Sequence, residues 1–153
     1  MRLIEIRQDL FKVTRDYYLA HCISGDYALG AGIAKTFNEK YDMRIKLHKK
    51  YPFQKGEESK RVGSSLVIDN IFNLVTKARY YQKPLYKDLY SALLDMRREC
   101  ENLGVTKLAM PKIGCGLDKL EWQNVRQLIE YAFVDMNIEI LICENKENYL
   151  KTY

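Results

Sequence analysis

Apolar and polar residues alternate through Leu3 to Arg7, the period of a strand with one buried face. Tyr17 to Ile23 is a compact apolar run and reads as a buried strand. After Ser24-Gly25-Asp26 the pattern changes, and Gly30 to Ala34, GAGIA, opens a helix to about Tyr41. A second helical piece spans Met43 to Lys50, with Ile45 and Leu47 as its apolar contacts. Pro52 to Lys60 is a polar loop. Ser64 to Ile68 and Ile71 to Thr76 are β-rich runs joined by Asp69-Asn70, the spacing of a hairpin. Lys77 to Leu85 is a loop. From Tyr86 to Asn102, Leu89, Ala92, Leu93, Met96, Cys100 and Leu103 recur on one helical face, and Gly104 closes the helix. Lys107 to Met110 is a short central strand. Glu121 to Phe133 is a helix burying Trp122, Val125, Leu128, Ile129, Ala132 and Phe133. Asn137 to Cys143 is the last strand.

Strands separated by helices, with one hairpin, predict an α/β chain: a mixed sheet with helices on both faces. Residues 1–153 read as one domain with a core from about 3 to 143 and a polar, fraying tail from 144 to 153. In such sheets ligands sit beyond the carboxyl ends of strands. Two glycine loops occupy strand-to-helix positions there, Gly30-Ala31-Gly32 and Gly114-Cys115-Gly116. Glycines admit an anion close to backbone N–H groups, and a helix start adds partial positive charge. Two such loops suggest one extended ligand with two phosphates, although either alone is equally a tight turn.

Composition narrows this picture. The hydrophobic share is 47% and the charged share 29%, ordinary for a globular protein. No apolar run approaches the ~18 residues of a membrane span, and the charged N-terminus is not a signal peptide, so a cytoplasmic monomer without membrane contact is expected. The four cysteines form no CxxC pair and only two histidines accompany them, which argues against a metal site. A net charge of +5 suits anionic ligands. Tyrosines interleave with basic residues from Lys77 to Lys87, a composition able to stack on bases or simply to lie on the surface.

Single residues carry double readings. Asp118 stands three residues before Glu121, the spacing of a helix capping box. Asp9 suits a turn cap, His21 a core strand, and Cys115 either a nucleophile or a small residue that lets its loop pack. Lys83, before Pro84, reads as an exposed loop lysine.

The order QDLF, AHCIS, GAGIA, Lys83-Pro84 and MPKIGCGLDKLEW resembles a macrodomain, and within that family the terminal ADP-ribose–protein glycohydrolase branch. The resemblance covers about Leu3 to Cys143. It implies a three-layer α/β/α fold around a mixed, mainly parallel sheet of about six strands. It also implies an ADP-ribose site. Asp9 and Leu10 would lie at the adenine, and His21 and Ser24 at the distal ribose. Gly30, Ala31, Gly32 and Ile33 would hold one side of the diphosphate; Pro111, Ile113, Gly114, Cys115, Gly116 and Leu117 would hold the other. Lys83 maps onto the catalytic lysine and Asp118 onto the catalytic aspartate, with no cofactor. Gln8, where many macrodomains have glycine, departs from the pattern. The implied reaction removes mono-ADP-ribose esterified to Glu or Asp side chains, or cleaves O-acyl-ADP-ribose or ADP-ribose 1″-phosphate. The alternatives are ADP-ribosylated DNA as substrate and a reader that binds ADP-ribose without cleaving it.

Overall fold

The computed structural model describes residues 1–145, so most of the expected fraying tail lies outside the described residues. Six strands are present: β1 (Arg2–Ile6), β2 (Tyr18–Ser24), β3 (Ser65–Ile68), β4 (Ile71–Lys77), β5 (Lys107–Met110) and β6 (Glu139–Cys143). Four helices accompany them: α1 (Gly32–Tyr41), α2 (Met43–Lys50), α3 (Tyr86–Leu103) and α4 (Trp122–Ala132). The sheet order is β1-β6-β5-β2-β4-β3. All pairs are parallel except β3 with β4. That hairpin turns at Asp69-Asn70, with Asp69 in the left-handed region at φ 53°.

One layer of side chains joins α1 and α2 to the sheet, through Phe37, Met43 and Leu47 against Leu19, Ile23 and Val75. The other joins α3 and α4 to it, through Leu89, Leu93, Val125 and Ile129 against Ala20, Phe72 and Ile140. Alternate residues of β2 and β4 supply opposite layers, as the strand period requires. Two expected core contacts fall elsewhere. Ile45 is 69% exposed, because the buried face of α2 is set by Met43 and Leu47, one turn apart. Leu103, the last residue of α3, is 51% exposed; Gly104 at φ 70° ends the helix there.

The core also claims His21. Its ring is fully buried and stacks on Phe37 at 3.9 Å. Nε2 lies 2.6 Å from Asn73 Oδ1, which accepts a hydrogen bond and so fixes the proton on Nε2. Asn73 in turn donates to the Leu66 carbonyl at 3.0 Å. Burial pushes the His21 pKa down to about 4, so the ring is neutral near pH 7. His21 therefore holds α1 on the sheet, and the expectation that it lines the distal ribose is corrected. Phe37, also fully buried, is the centre of this contact and touches Phe11 and Tyr41 as well. Phe37→Ala is expected to destabilise the fold by about 3–5 kcal/mol in denaturant unfolding.

A carboxylate on the opposite layer makes stability depend on pH. On α3, Asp95 Oδ2 accepts from the Ser65 N–H at 2.7 Å, while Glu99 Oε1, one turn on, is buried without a partner among the described residues. Burial, and then the charge of Asp95, push the Glu99 pKa up from 4.5 to about 7. The folded state thus keeps a proton that the unfolded chain releases. The associated stability is present below about pH 4.5 and is lost as pH rises through about 7. Glu99→Gln is expected to leave melting unchanged at pH 4.5 and to stabilise at pH 8 by about 1 kcal/mol, since solvent screens part of the effect.

Candidate functional site

The five parallel strands all end at one edge of the sheet. The loops after β1, β2, β4 and β5 meet there, and every expected site residue but His21 lies on or beside them.

The two glycine loops face each other. Gly32, at φ 60°, starts α1, and a β-carbon on it would lie 3.1 Å from Leu117 Cδ1. Gly30, Ala31, Gly32 and Gly116 are exposed, and Leu117 is 56% exposed. Gly114 takes φ 72°, and its carbonyl accepts from the Leu120 N–H at 2.7 Å, which folds the second loop back on itself. Exposed glycine backbone from both loops thus meets at this edge, with a helix start on one side. Backbone N–H groups and the positive end of α1 suit an anion there.

The lining is less uniform than the sequence suggests. Leu10 and Ile113 are buried in the two core layers, and Ile33 and Pro111 are half-buried. Asp9 caps the 3₁₀ turn Leu10–Lys12, its Oδ1 accepting from the Phe11 N–H at 3.0 Å. Ser24 is buried and donates its hydroxyl to Asp26 Oδ1 at 2.5 Å. Gly25 follows because nothing larger fits: a β-carbon there would lie 1.9 Å from the Glu58 carbonyl oxygen. Cys115 is half-buried, and burial pushes its thiol up to about 11. Burial thus favours the neutral thiol, the less reactive form.

Asp118 does not cap α4. The residue before the helix is Glu121, which makes no side-chain cap bond. Asp118 Oδ1 instead accepts from Lys77 Nζ at 2.6 Å. Both side chains are mostly withdrawn from water, at 13% and 18% exposure. Lys77 is the last residue of β4 and stands opposite Ser24 of β2. Register shifts just before it: Ile23 faces Val75, but the next residue, Ser24, faces Lys77, leaving Thr76 as the extra residue of a bulge. Bulges re-aim side chains, and this one sets the lysine at the sheet's ligand edge.

Lys83 lies elsewhere. It is exposed on the loop beyond and makes no ion pair among the described residues. The lysine in contact with Asp118 is thus Lys77, and Lys83 is not brought to that carboxylate. Sequence reading ended the strand at Thr76 and gave Lys77 to the loop. The usable signal was a lysine closing an apolar strand on the ligand edge. Among the described residues no group of three His, Cys, Asp or Glu is placed to hold a metal, and no helix is long and apolar enough to cross a membrane.

Residues 21–129 match the Macro domain family model. This chain is a macrodomain. It is 38% identical over 145 residues to the human ADP-ribose glycohydrolase OARD1, covering 92% of this chain and 90% of that one. It is 26% identical over 113 residues to the DNA ADP-ribosyl glycohydrolase of Mycobacterium tuberculosis, covering 69% of this chain and 31% of that protein. The macrodomain also superposes on the structure of Thermosipho africanus DarTG in complex with ADP-ribose, with TM-score 0.75 at 20% identity, covering 95% of this chain and 42% of that one. The two facing glycine loops and the Lys77–Asp118 pair lie at the sheet edge of this fold.

Proposed function

We propose that this macrodomain is a hydrolase that binds ADP-ribose across the two glycine loops and cleaves its link to a carboxylate acceptor at the distal ribose. The observation that carries the reading is the Lys77–Asp118 contact at 2.6 Å beside the two glycine loops. The glycine walls, with the start of α1, hold the diphosphate. The 38% identical human relative, named an ADP-ribose glycohydrolase, supports the hydrolytic activity.

An amine attacks only when neutral, and Asp118 is in direct contact to take the proton from Lys77. Nζ then bonds to C1″ of the distal ribose. The bond from C1″ to the acceptor oxygen breaks, and the acceptor leaves as the carboxylate of a Glu or Asp side chain. Asp118 passes that proton to solvent and then serves as base for a water whose oxygen bonds to C1″; the C1″–Nζ bond breaks, freeing Lys77 and releasing ADP-ribose. O-acyl-ADP-ribose offers the same leaving group and fits the same steps. A carboxylate leaving group needs no proton, which suits a site whose single acid–base group is occupied with the nucleophile.

The test is release of ADP-ribose from a glutamate-linked mono-ADP-ribosylated peptide by wild type and by Lys77→Arg. Release by wild type alone supports the reading. Equal release by both overturns the lysine step, and release by neither overturns the activity.

A further inference from the structure

The residues just after Lys83 reach the site in another way. Pro84 is buried, and α3 starts two residues on, at Tyr86. The Tyr86 hydroxyl accepts from the Glu121 N–H at 3.0 Å and from Asn124 Nδ2 at 3.4 Å. Asp118 lies three residues before Glu121. The two N–H groups between them are satisfied inside the loop: Lys119 donates to the Gly116 carbonyl at 3.1 Å, and Leu120 to the Gly114 carbonyl at 2.7 Å. Tyr86 then holds the exit of the loop from outside it. Its helix packs Leu89 and Leu93 into the same layer as Phe72 and Leu74 of β4, the strand that ends in Lys77. Tyr86 therefore ties the loop of the aspartate to the frame of the lysine.

The same bond decides which duty Asp118 performs. In a capping box the first side chain accepts from the N–H three residues on. With Asp118 as the cap, that N–H is the one on Glu121. Tyr86 takes it instead, and Asp118 Oδ1 pairs with Lys77 Nζ at 2.6 Å. The carboxylate thus has two competing partners, the ammonium at the end of β4 and the start of α4. An open N–H at a helix start, with the positive end of the helix dipole behind it, draws a carboxylate. The tyrosine hydroxyl removes that competitor.

We propose that Tyr86 is a positioning residue, which keeps Asp118 off the start of α4 and so available to the second step of the reaction. The inference rests on the proposed Lys77 and Asp118 chemistry. In the first step the Lys77 contact itself places the carboxylate. Once Nζ is bonded to C1″, Asp118 has to face a water instead. The water oxygen bonds to C1″, its proton passes to Asp118, and the C1″–Nζ bond breaks with its electron pair left on Nζ. Without the Tyr86 hydroxyl the Glu121 N–H is open, and Asp118 turns to it when the lysine ammonium no longer holds it. Tyr86 acts through Asp118 and exchanges no bond or proton in either step.

The experiment is rapid-quench kinetics of wild type and Tyr86→Phe on a glutamate-linked mono-ADP-ribosylated peptide. The variant keeps the ring and loses the acceptor. Peptide release reports the first step and ADP-ribose release the second. Loss of folded protein lowers both alike, so their ratio reports on Asp118. In Tyr86→Phe, peptide release is expected within about threefold of wild type, and ADP-ribose release about 10- to 100-fold slower, the scale of a misplaced catalytic group. An ADP-ribosyl adduct then builds up on Lys77, and kcat and KM fall together while kcat/KM holds. Unchanged ADP-ribose release in the variant, beside an active wild type, overturns the inference and leaves the Lys77 chemistry standing. Equal slowing of both releases overturns it, because a merely structural role acts on both steps. Slow ADP-ribose release with no adduct on Lys77 overturns it as well. Wild type that releases neither product overturns the hydrolase reading and this inference with it.

Discussion

Lys77→Arg is expected to lower kcat by about 10³-fold or more, equivalent to roughly 4 kcal/mol of barrier, with the fold intact. Arginine keeps the positive charge beside Asp118, so the mostly buried pair is not broken and no carboxylate is left alone. What arginine lacks is a neutral nucleophilic form at ordinary pH. The substitution therefore separates attack from charge. Lys77→Ala does not, because it also strands Asp118 and will lower the melting temperature. Lys83→Ala is expected to change kcat on O-acyl-ADP-ribose by less than about threefold. Steady-state kinetics beside thermal melting of each variant decides the matter. A Lys77→Arg enzyme within tenfold of wild type would remove the nucleophile from the mechanism.

Asp118→Asn should reduce turnover by about 10²- to 10³-fold, the usual range for loss of a positioned base. Its two duties fail differently. The first step slows because nothing takes the proton from Lys77. The second slows because no carboxylate activates water. Where some adduct forms, it has no fast exit. Intact-mass measurement of the variant with substrate should then show a species heavier by one ADP-ribosyl group, located on Lys77 by peptide mapping. Wild type should show little of it at steady state. Full turnover in Asp118→Asn, or an adduct on another residue, would contradict the assignment.

Most of the frame was legible because it rests on local patterns. The helical face from Leu89 to Cys100, the hairpin at Asp69-Asn70 and both glycine loops follow from spacing within a few residues. The site was less legible because its decisive contact joins residues 41 apart. Asp118 carried a sound local reading as a cap, three residues before Glu121, and the ion pair with Lys77 displaced it. Pro84 makes Lys83 conspicuous in the sequence, whereas the contact of Lys77 with Asp118 depends on its being the last residue of an otherwise buried strand. His21 looked like a site residue through its neighbours, but partners on β4 and α1 draw its ring into the core.

The bulge at Thr76 has a consequence for comparing sequences. Side chains along a strand alternate, so one residue more or fewer turns every later one to the opposite face. Lys77 reaches Asp118 from a ladder that holds one extra residue between Val75 and itself. A sequence that keeps a lysine here but has lost that residue would align with no visible gap in chemistry, yet aim its amine through the sheet. Among proteins of this fold, strand length up to the lysine is thus as informative as the lysine itself. An alignment that slides a gap across Val75, Thr76 and Lys77 to improve identity would erase the distinction.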